Sequence, residues 1–507
     1  MADQDATAGT PLWLATSARA SYPALRGAQR YDVVVVGAGI TGTTTALLLK
    51  RAGARVALLE MGTVCQGVTG HTTAKVTALH RLTYADLSDR FGLDTAQTYA
   101  RANQAGLATI RDLVDELAID CALEQQPAYT YAGSPEQVAA VEAEAEAAAR
   151  AGLPARLVDR TDLPFPVAAA VRVDDQAQLH PGDYVRALAA HVDGDGSAVH
   201  EHSRVVDVRD GQPCRVATPD ATIEADHVVV ATHLPLLDRG LFFALAHPQR
   251  SYALAARVRG PLPEGMYINV EEPTRSVRPY RRDGAELLIV SGEGHKPGAD
   301  DEAGRSRALE AWTRATFDVH AVDYRWSAQD YEPVDKLPLI GPAWPATERL
   351  WVATGFRKWG LALGTAAAML LTDLVGGRTH PWADTFAPHR LTPKASAASF
   401  VRENLEVARH FVGDRVALPG REAVERLEPG QGCVARIGGR AYAVARADDG
   451  ALTSVSPLCT HMGCHVRWNT AERSWDCPCH GSRFAVDGTV VQGPAVRDLD
   501  PKPLPRE

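Results

Sequence analysis

Apolar residues along this chain come in short, sharply bounded runs. Asp32-Val-Val-Val-Val36 is one of them, and it breaks at Gly37. A β-branched run of this length reads as a strand buried on both faces. An apolar helical stretch follows, Thr43-Thr-Thr-Ala-Leu-Leu-Leu-Lys50, and then a second strand, Arg55-Val-Ala-Leu-Leu-Glu60. Strand, helix and strand in that order predict a βαβ unit in a parallel sheet. Further strands are predicted over 204–208, 225–232 and 250–295, the last including Glu286-Leu-Leu-Ile-Val-Ser291. Residues 84–118 and 135–151 read as amphipathic or Ala/Glu-rich helices. Residues 1–30 read as a surface arm and 391–420 as a connecting arm. From about 421 the texture changes to short strands and turns, which suits a small antiparallel barrel.

The turn between the first strand and its helix is Gly37-Ala-Gly39-Ile-Thr-Gly42. Glycines at this spacing allow a tight turn, close approach of backbone to a pyrophosphate and close helix–strand packing, and the helix N-terminus favours the phosphate charge. Glu60 ends the second strand, where a carboxylate accepts hydrogen bonds from ribose hydroxyls. A Gly/Thr-rich loop comes next, Gly62-Thr-Val-Cys-Gln-Gly67-Val-Thr-Gly70-His71-Thr72-Thr73-Ala-Lys75. Late in the chain stand Asp335-Lys-Leu-Pro-Leu-Ile-Gly341 and Ala353-Thr-Gly355-Phe-Arg-Lys-Trp359-Gly360-Leu-Ala-Leu-Gly364.

In combination these segments resemble the D-amino-acid-oxidase-like flavoprotein superfamily, which includes glycine and sarcosine oxidases. The resemblance covers residues 30–380 in patches. It implies FAD held by Gly37, Gly39, Gly42, Glu60, Gly70, His71, Thr72, Thr73, Val205, Gly341, Gly355, Trp359 and Gly360. It also implies a helix after Gly355 whose positive N-terminal end faces the flavin pyrimidine and favours the anionic reduced form. Flavin-binding pieces are expected near 31–83, 155–245 and 328–390, with substrate-domain pieces near 84–154 and 246–327. The Gly-x-Thr-x-His pattern ending at His71 resembles the loop through which dimethylglycine-oxidising relatives attach FAD covalently; the alternative is a histidine that only hydrogen-bonds within the loop.

Two further boxes lie near the C-terminal end, Cys459-Thr-His461-Met-Gly-Cys464 and Cys477-Pro-Cys479-His480-Gly-Ser482. Each mixes a thiolate and an imidazole on one short loop. A Cys₂His₂ set also suits zinc, but the zinc-finger order is Cys-Cys then His-His. The boxes resemble the Rieske [2Fe–2S] signature, in which two cysteines hold one iron and two histidines the other. The resemblance implies Cys459, His461, Cys477 and His480 as ligands, a Cys464–Cys479 disulfide between the loops, and Ser482 bonded to a bridging sulfide. Phe484 stands where the high-potential subclass has tyrosine; the missing hydroxyl implies a lower potential. Gly493-Pro494-Ala495 resembles the proline loop that covers the cluster.

Composition narrows the setting. Hydrophobic residues are 45% and charged residues 23% of 507, an ordinary globular balance with room for two or three domains. The formal net charge of −9 argues against a nucleic-acid partner. No signal peptide is evident, and the apolar stretch 361–371 is too short to span a membrane, so a cytoplasmic protein is expected. Cys65, Cys121, Cys214 and Cys433 read as buried thiols.

The expected architecture is an α/β FAD-binding Rossmann-like domain with an inserted α+β substrate domain, 31–390, then a linker at 391–420 and a small all-β Rieske domain, 421–507. A two-electron flavin joined to a one-electron cluster implies a converter. The superfamily oxidises C–N bonds, which makes an amine or amino acid the expected donor, and the acceptor a one-electron protein such as a ferredoxin or cytochrome. A single dinucleotide motif speaks against NAD(P)H as donor, and the 287–291 strand has no lysine of the kind that assists oxygen reaction in sarcosine-oxidase-like members. The alternatives are a ferredoxin-fed flavin reductase or oxygenase, and a flavoprotein whose Rieske domain docks or senses. Arg278, Tyr280, His295, Lys296, Arg357 and Lys358 are the candidate substrate-site residues, a cation among them pairing with a substrate carboxylate.

Overall fold

A computed structural model describes residues 9–18, 20–298, 302–390, 392–416 and 418–505. The Val-rich run forms the centre of an eight-stranded sheet. Gly27–Val36 lies parallel between Ala221–Val230 and Val56–Leu59, in the order Leu339–Pro342, Leu350–Thr354, Ala221–Val230, Gly27–Val36, Val56–Leu59, Ala198–His200, with Cys214–Ala217 paired to Ala221–Val230 and Asp207–Arg209 to Cys214–Ala217. Val33 to Val36 are buried on both faces, which is why the run shows no alternation. Helices Ile40–Arg51, Leu93–Glu116 and Gly360–Val375 pack together over one face. Small residues set the approach: a Cβ on Gly106 would lie 2.1 Å from the Ala362 carbonyl oxygen, and one on Gly364 2.5 Å from Thr41 Oγ1.

A nine-stranded sheet makes the second layer. Its order is Val319–Pro333, Ala246–Val258, Ala285–His295, Arg275–Arg282, Met266–Asn269, Glu124–Ala132, Ala169–Gln178, Lys75–Val76, with Ala155–Val158 paired to Ala169–Gln178. One face carries Tyr280, Leu287, Ile289, Ala253, Ala255 and Trp326 into the core shared with the flavin-side helices. The opposite face packs Tyr252, Leu254, Val277, Leu288 and Val290 under the Glu302–Thr316 helix. The C-terminal part has a three-stranded sheet, Gly432–Ile437, Arg440–Arg446 and Leu452–Val455, and a four-stranded one, Arg467–Asn469, Ser474–Asp476, Arg483–Phe484 and Val490–Gln492.

Three boundaries differ from the sequence reading. Residues 1–30 are not simply a surface arm: Leu12–Thr16 is a helix with Leu12 and Trp13 fully buried, and the first strand begins at Gly27. The run Leu12-Trp13-Leu14-Ala15 is too short to show a period, yet Trp13 packs on Tyr280 of the second sheet and Leu14 on Gly70 of the 62–75 loop, which removes apolar area from water. The stretch 155–245 is shared, because Ala155–Val158 and Ala169–Gln178 belong to the second sheet, whose last strand runs on to Pro333. The 391–420 segment contains a long helix, Pro393–Val416, tied to the body by an ion pair from Lys296 to Glu403 at 2.6 Å. Among the described residues no helix is long and apolar enough to cross a membrane.

Candidate functional site

The glycine turn is built for close backbone approach. Gly37 has φ 102°, and a Cβ there would lie 2.6 Å from the Ala231 carbonyl oxygen; one on Gly42 would lie 1.8 Å from the Gly37 oxygen. Gly39 caps the Ile40–Arg51 helix with no side-chain hydrogen bond, which leaves helix N–H groups for an anion. Glu60 is buried. It accepts from Ala38 N at 2.8 Å and Gly62 N at 3.0 Å, so it braces the turn as well as offering its remaining lone pairs to a ribose. Burial raises its pKa and the backbone N–H groups oppose the rise. Val205 is buried just before the Asp207–Arg209 strand rather than within a strand.

The 62–75 loop closes over this turn. Thr69 Oγ1 accepts from Ile40 N at 3.1 Å. A Cβ on Gly70 would lie 2.3 Å from the Cys65 oxygen and 2.8 Å from Leu14, so the N-terminal helix is seated there. Trp13 Nε1 donates to the Thr72 oxygen at 2.6 Å, and Trp326 Nε1 to the His71 oxygen at 2.8 Å. His71 Nδ1 sits 2.9 Å from the Gly67 oxygen, which leaves Nε2 as its open nitrogen; burial lowers its pKa. The third piece is the 355–360 turn. Gly355 has φ 79° against Pro333, Arg357 and Lys358 also have positive φ, and Trp359 precedes the Gly360–Val375 helix with its ring stacked on His80 at 4.3 Å. Gly341, φ 144°, packs against Pro388 behind the turn. Thr69 ties the 62–75 loop to the first helix N–H, Trp326 ties the same loop to the Val319–Pro333 strand, and the glycine turn with its buried acid fits the phosphate and ribose end of a flavin dinucleotide.

The substrate candidates separate. Arg278 and Tyr280 stand on the core-facing side of the second sheet, beside the 62–75 loop. Arg278 is 1% exposed; its Nε donates to the Thr73 oxygen and its NH1 to the Pro279 oxygen, while NH2 has no partner. Its guanidinium lies 5.1 Å from the Trp13 ring and 5.9 Å from the Tyr280 ring, and burial pulls its pKa down to about 9. Lys75, which sequence reasoning passed over, lies on the same side. It donates to the Tyr267 oxygen at 2.8 Å and bonds Ser276, and burial lowers its pKa to about 7. Neither cation pairs with a carboxylate among the described residues. A lysine between Ala74 and Val76, the first residue of the two-residue strand Lys75–Val76, was the available signal.

Three of the other candidates, His295, Lys296 and Arg357, are occupied elsewhere, and Lys358 is held through its backbone. His295 stacks on Tyr252 at 5.7 Å with Nδ1 on the Lys296 oxygen, and burial lowers its pKa to about 4. Lys296 anchors the connecting helix through Glu403. Arg357 bonds the Lys336 oxygen and pairs with Glu332. Lys358 N donates to Asp330, and burial lowers its ammonium pKa while Asp330 opposes.

The two C-terminal boxes form one buried pocket. The His461 and His480 rings lie 5.0 Å apart at 90°, and both Nδ1 atoms are buried without a partner. A buried imidazole nitrogen left unpaired is costly, so two of them aimed together fit metal ligation. Cys459 and Cys477 are buried beside them, and the Ser482 hydroxyl accepts from Ala495 N at 3.0 Å. The sulfurs of Cys464, Cys477 and Cys479 also come within 4.8 Å, but Cys464 and Cys479 are bonded to each other and offer no thiolate. Cys459, Cys477, His461 and His480 are therefore the set that fits an iron–sulfur cluster. Phe484 is fully buried beside them.

Cluster pocket and flavin cleft meet along the Val319–Pro333 strand. Tyr331 OH donates to the His480 oxygen at 2.7 Å and Gln329 Nε2 to the Gly481 oxygen at 2.8 Å. The same stretch holds the closing turn: Arg357 N donates to the Tyr331 oxygen at 3.3 Å and Lys358 N to the Asp330 carboxylate. Arg250 forms a buried ion pair with Asp476, the residue before Cys477. His461 Nε2 lies 3.2 Å from Asp238, and the Phe243 ring contacts both cluster histidines at 5.8 and 5.4 Å. The cluster domain is thus docked with its histidine edge on the flavoprotein half.

Comparison with known proteins agrees with this division. A family model described as "FAD dependent oxidoreductase" matches residues 32–374, and one described as "Rieske [2Fe-2S] domain" matches 422–503. The chain is 36% identical over 492 residues to "Putative Rieske 2Fe-2S iron-sulfur protein YhfW" of Bacillus subtilis, covering 96% of each. A cytochrome b6-f complex iron-sulfur subunit of Synechocystis is 35% identical over 110 residues, 22% of this chain and 53% of that one. Among solved structures, glycine oxidase from Geobacillus kaustophilus has a TM-score of 0.60 at 23% identity, over 72% of this chain and 99% of that one. L-proline dehydrogenase from P. horikoshii has 0.58 at 18%, over 72% and 98%. These likenesses place the flavoprotein fold. The chain belongs to the FAD-dependent oxidoreductase family and carries a C-terminal Rieske [2Fe–2S] domain.

Proposed function

We propose that the protein is a dehydrogenase that oxidises a C–N bond of an amine or amino acid and passes the electrons through its Rieske domain to an external one-electron acceptor. The carrying observation is the Val319–Pro333 strand, which bonds the flavin-closing turn on one side and the second cluster box on the other. FAD supplies acceptance of an electron pair, and the cluster carries electrons one at a time. The chain's own residues do the rest. Arg278 and Lys75, buried cations without carboxylate partners, are suited to fix a substrate carboxylate by charge-assisted hydrogen bonds. Trp13 and Tyr280 wall that side, which excludes water and strengthens the pairing. The names of the structural neighbours, glycine oxidase and L-proline dehydrogenase among them, favour an amino-acid donor. A soluble carrier such as a ferredoxin or cytochrome is the proposed acceptor, and the cytoplasm the proposed compartment. Anaerobic mixing of the loaded protein with a panel of amines and amino acids tests the reading. Flavin bleaching followed by loss of the oxidised-cluster absorbance is expected. Bleaching with an unchanged cluster would reject the electron route, and no response to any donor would reject the substrate class.

A further inference from the structure

Sequence reasoning leaves the cluster one hydroxyl short, because Phe484 has none. The fold brings a tyrosine to the same pocket from the other half of the protein. Tyr331 is 1% exposed, and its phenol donates at 2.7 Å to the backbone oxygen of His480, a cluster ligand. Its ring is held edge-on to His233 at 4.7 Å, and His233 is itself fixed by Asp330 and by Gln492 of the strand that leads into the proline loop. Its own backbone oxygen accepts from Arg357 N in the flavin-closing turn. One residue of the flavoprotein half therefore touches both cofactor sites.

We propose that Tyr331 is a positioning residue of the cluster: its phenol fixes the second ligand box against the flavin-closing turn and raises the cluster's reduction potential while the halves are docked. A donor on the ligand's carbonyl draws electron density from that loop and favours the reduced, more negative cluster, as hydrogen bonds around such centres do. This shifts the one-electron couple in which a ferric ion becomes ferrous. The electron comes from the two-electron donor that the proposed function supplies, and a one-electron acceptor returns the iron to the ferric state.

The test is a mediated redox titration of the full, loaded chain, followed by the electron paramagnetic resonance signal of the reduced cluster. It needs no substrate, so it stands apart from the proposed reaction. Tyr331→Phe keeps the ring and removes the donor. A fivefold change in the reduced-to-oxidised ratio is expected, a midpoint lower by about 40 mV for a one-electron couple. Gln329→Met, which frees the neighbouring Gly481 oxygen, is expected to shift the midpoint the same way by less. Cluster content from visible absorbance normalises both. If Tyr331→Phe loses its cluster, Gln329→Met decides: a wild-type midpoint there overturns the proposal, as does a wild-type midpoint in a fully loaded Tyr331→Phe.

Discussion

Replacing Arg250 by methionine should loosen the cluster domain from the flavoprotein half. Arg250 is wholly buried and Asp476 is 1% exposed. The guanidinium pairs with Asp476, lies 3.6 Å from Glu302 and donates to Gln329 at 3.2 Å. Asp476 keeps Asn469, Ser474 and Arg483 after the change, so part of its charge stays compensated. Breaking a buried pair by removing one partner costs about 3–5 kcal/mol, and the surviving Arg483 contact places the expected loss at about 3 kcal/mol, roughly a hundredfold in the docking equilibrium. Burial raises the Asp476 carboxyl, but Arg250 and Arg483 win and hold it below its ordinary value. A depressed carboxyl contributes stability above its unfolded pKa, about 3.9, and loses it as pH falls through the folded value. The deficit in Arg250→Met should thus be largest near neutral pH and shrink below about pH 4. Urea unfolding followed separately by cluster absorbance and flavin fluorescence is the assay. The variant should lose its cluster signal at lower urea than the wild type, ahead of the flavin signal. Coincident transitions at the wild-type midpoint would refute the claim that this ion pair holds the halves together.

Gly42→Ala should abolish FAD retention, because its Cβ would sit 1.8 Å from a backbone oxygen in the dinucleotide turn; the purified variant should lack flavin absorbance. His480→Ala should erase the Rieske resonance signal and leave the flavin spectrum intact, as expected of a cluster ligand whose unpartnered Nδ1 lies in the C-terminal pocket. Glu144 is buried and accepts from Tyr84 N and Ala85 N at the start of the Thr83–Phe91 helix; burial raises its pKa to about 8. The folded protein therefore binds this proton more tightly than the unfolded chain, and stability should fall as pH rises from about 4.3 towards 8. Glu144→Gln should flatten that slope in thermal melts; an unchanged slope would place it on other groups.

The glycine turn and the two Cys/His boxes were legible because each is local in sequence. Gly37, Gly39 and Gly42 share one turn, and backbone oxygens lie too close to Gly37 and Gly42 for any side chain there. Cys459 with His461, and Cys477 with His480, each occupy one loop, so pairing two boxes needed no tertiary information. The burial of Val33 to Val36 followed from an unbroken apolar run. These features are set by contacts within a few residues, and a linear pattern records them.

What the sequence could not fix depends on contacts between distant segments. Trp13 joins Thr72, Arg278 and Tyr280 across the chain, so an apparent arm became a wall of the cleft. His295 and Lys296 stood beside the right strand but were drawn to Tyr252 and Glu403 by the register and bulge of that strand. Lys75 reached the core-facing side because the second sheet closes over it. Local motifs alone were enough to reveal a flavin site and a cluster site in this chain. That the two share a wall emerged from the folded chain, where Gln329, Asp330 and Tyr331 send their bonds to both sides of one strand. No local pattern encodes that arrangement, since the energy favouring it comes from burying Arg250, Asp476 and Tyr331 between parts of the chain more than a hundred residues apart.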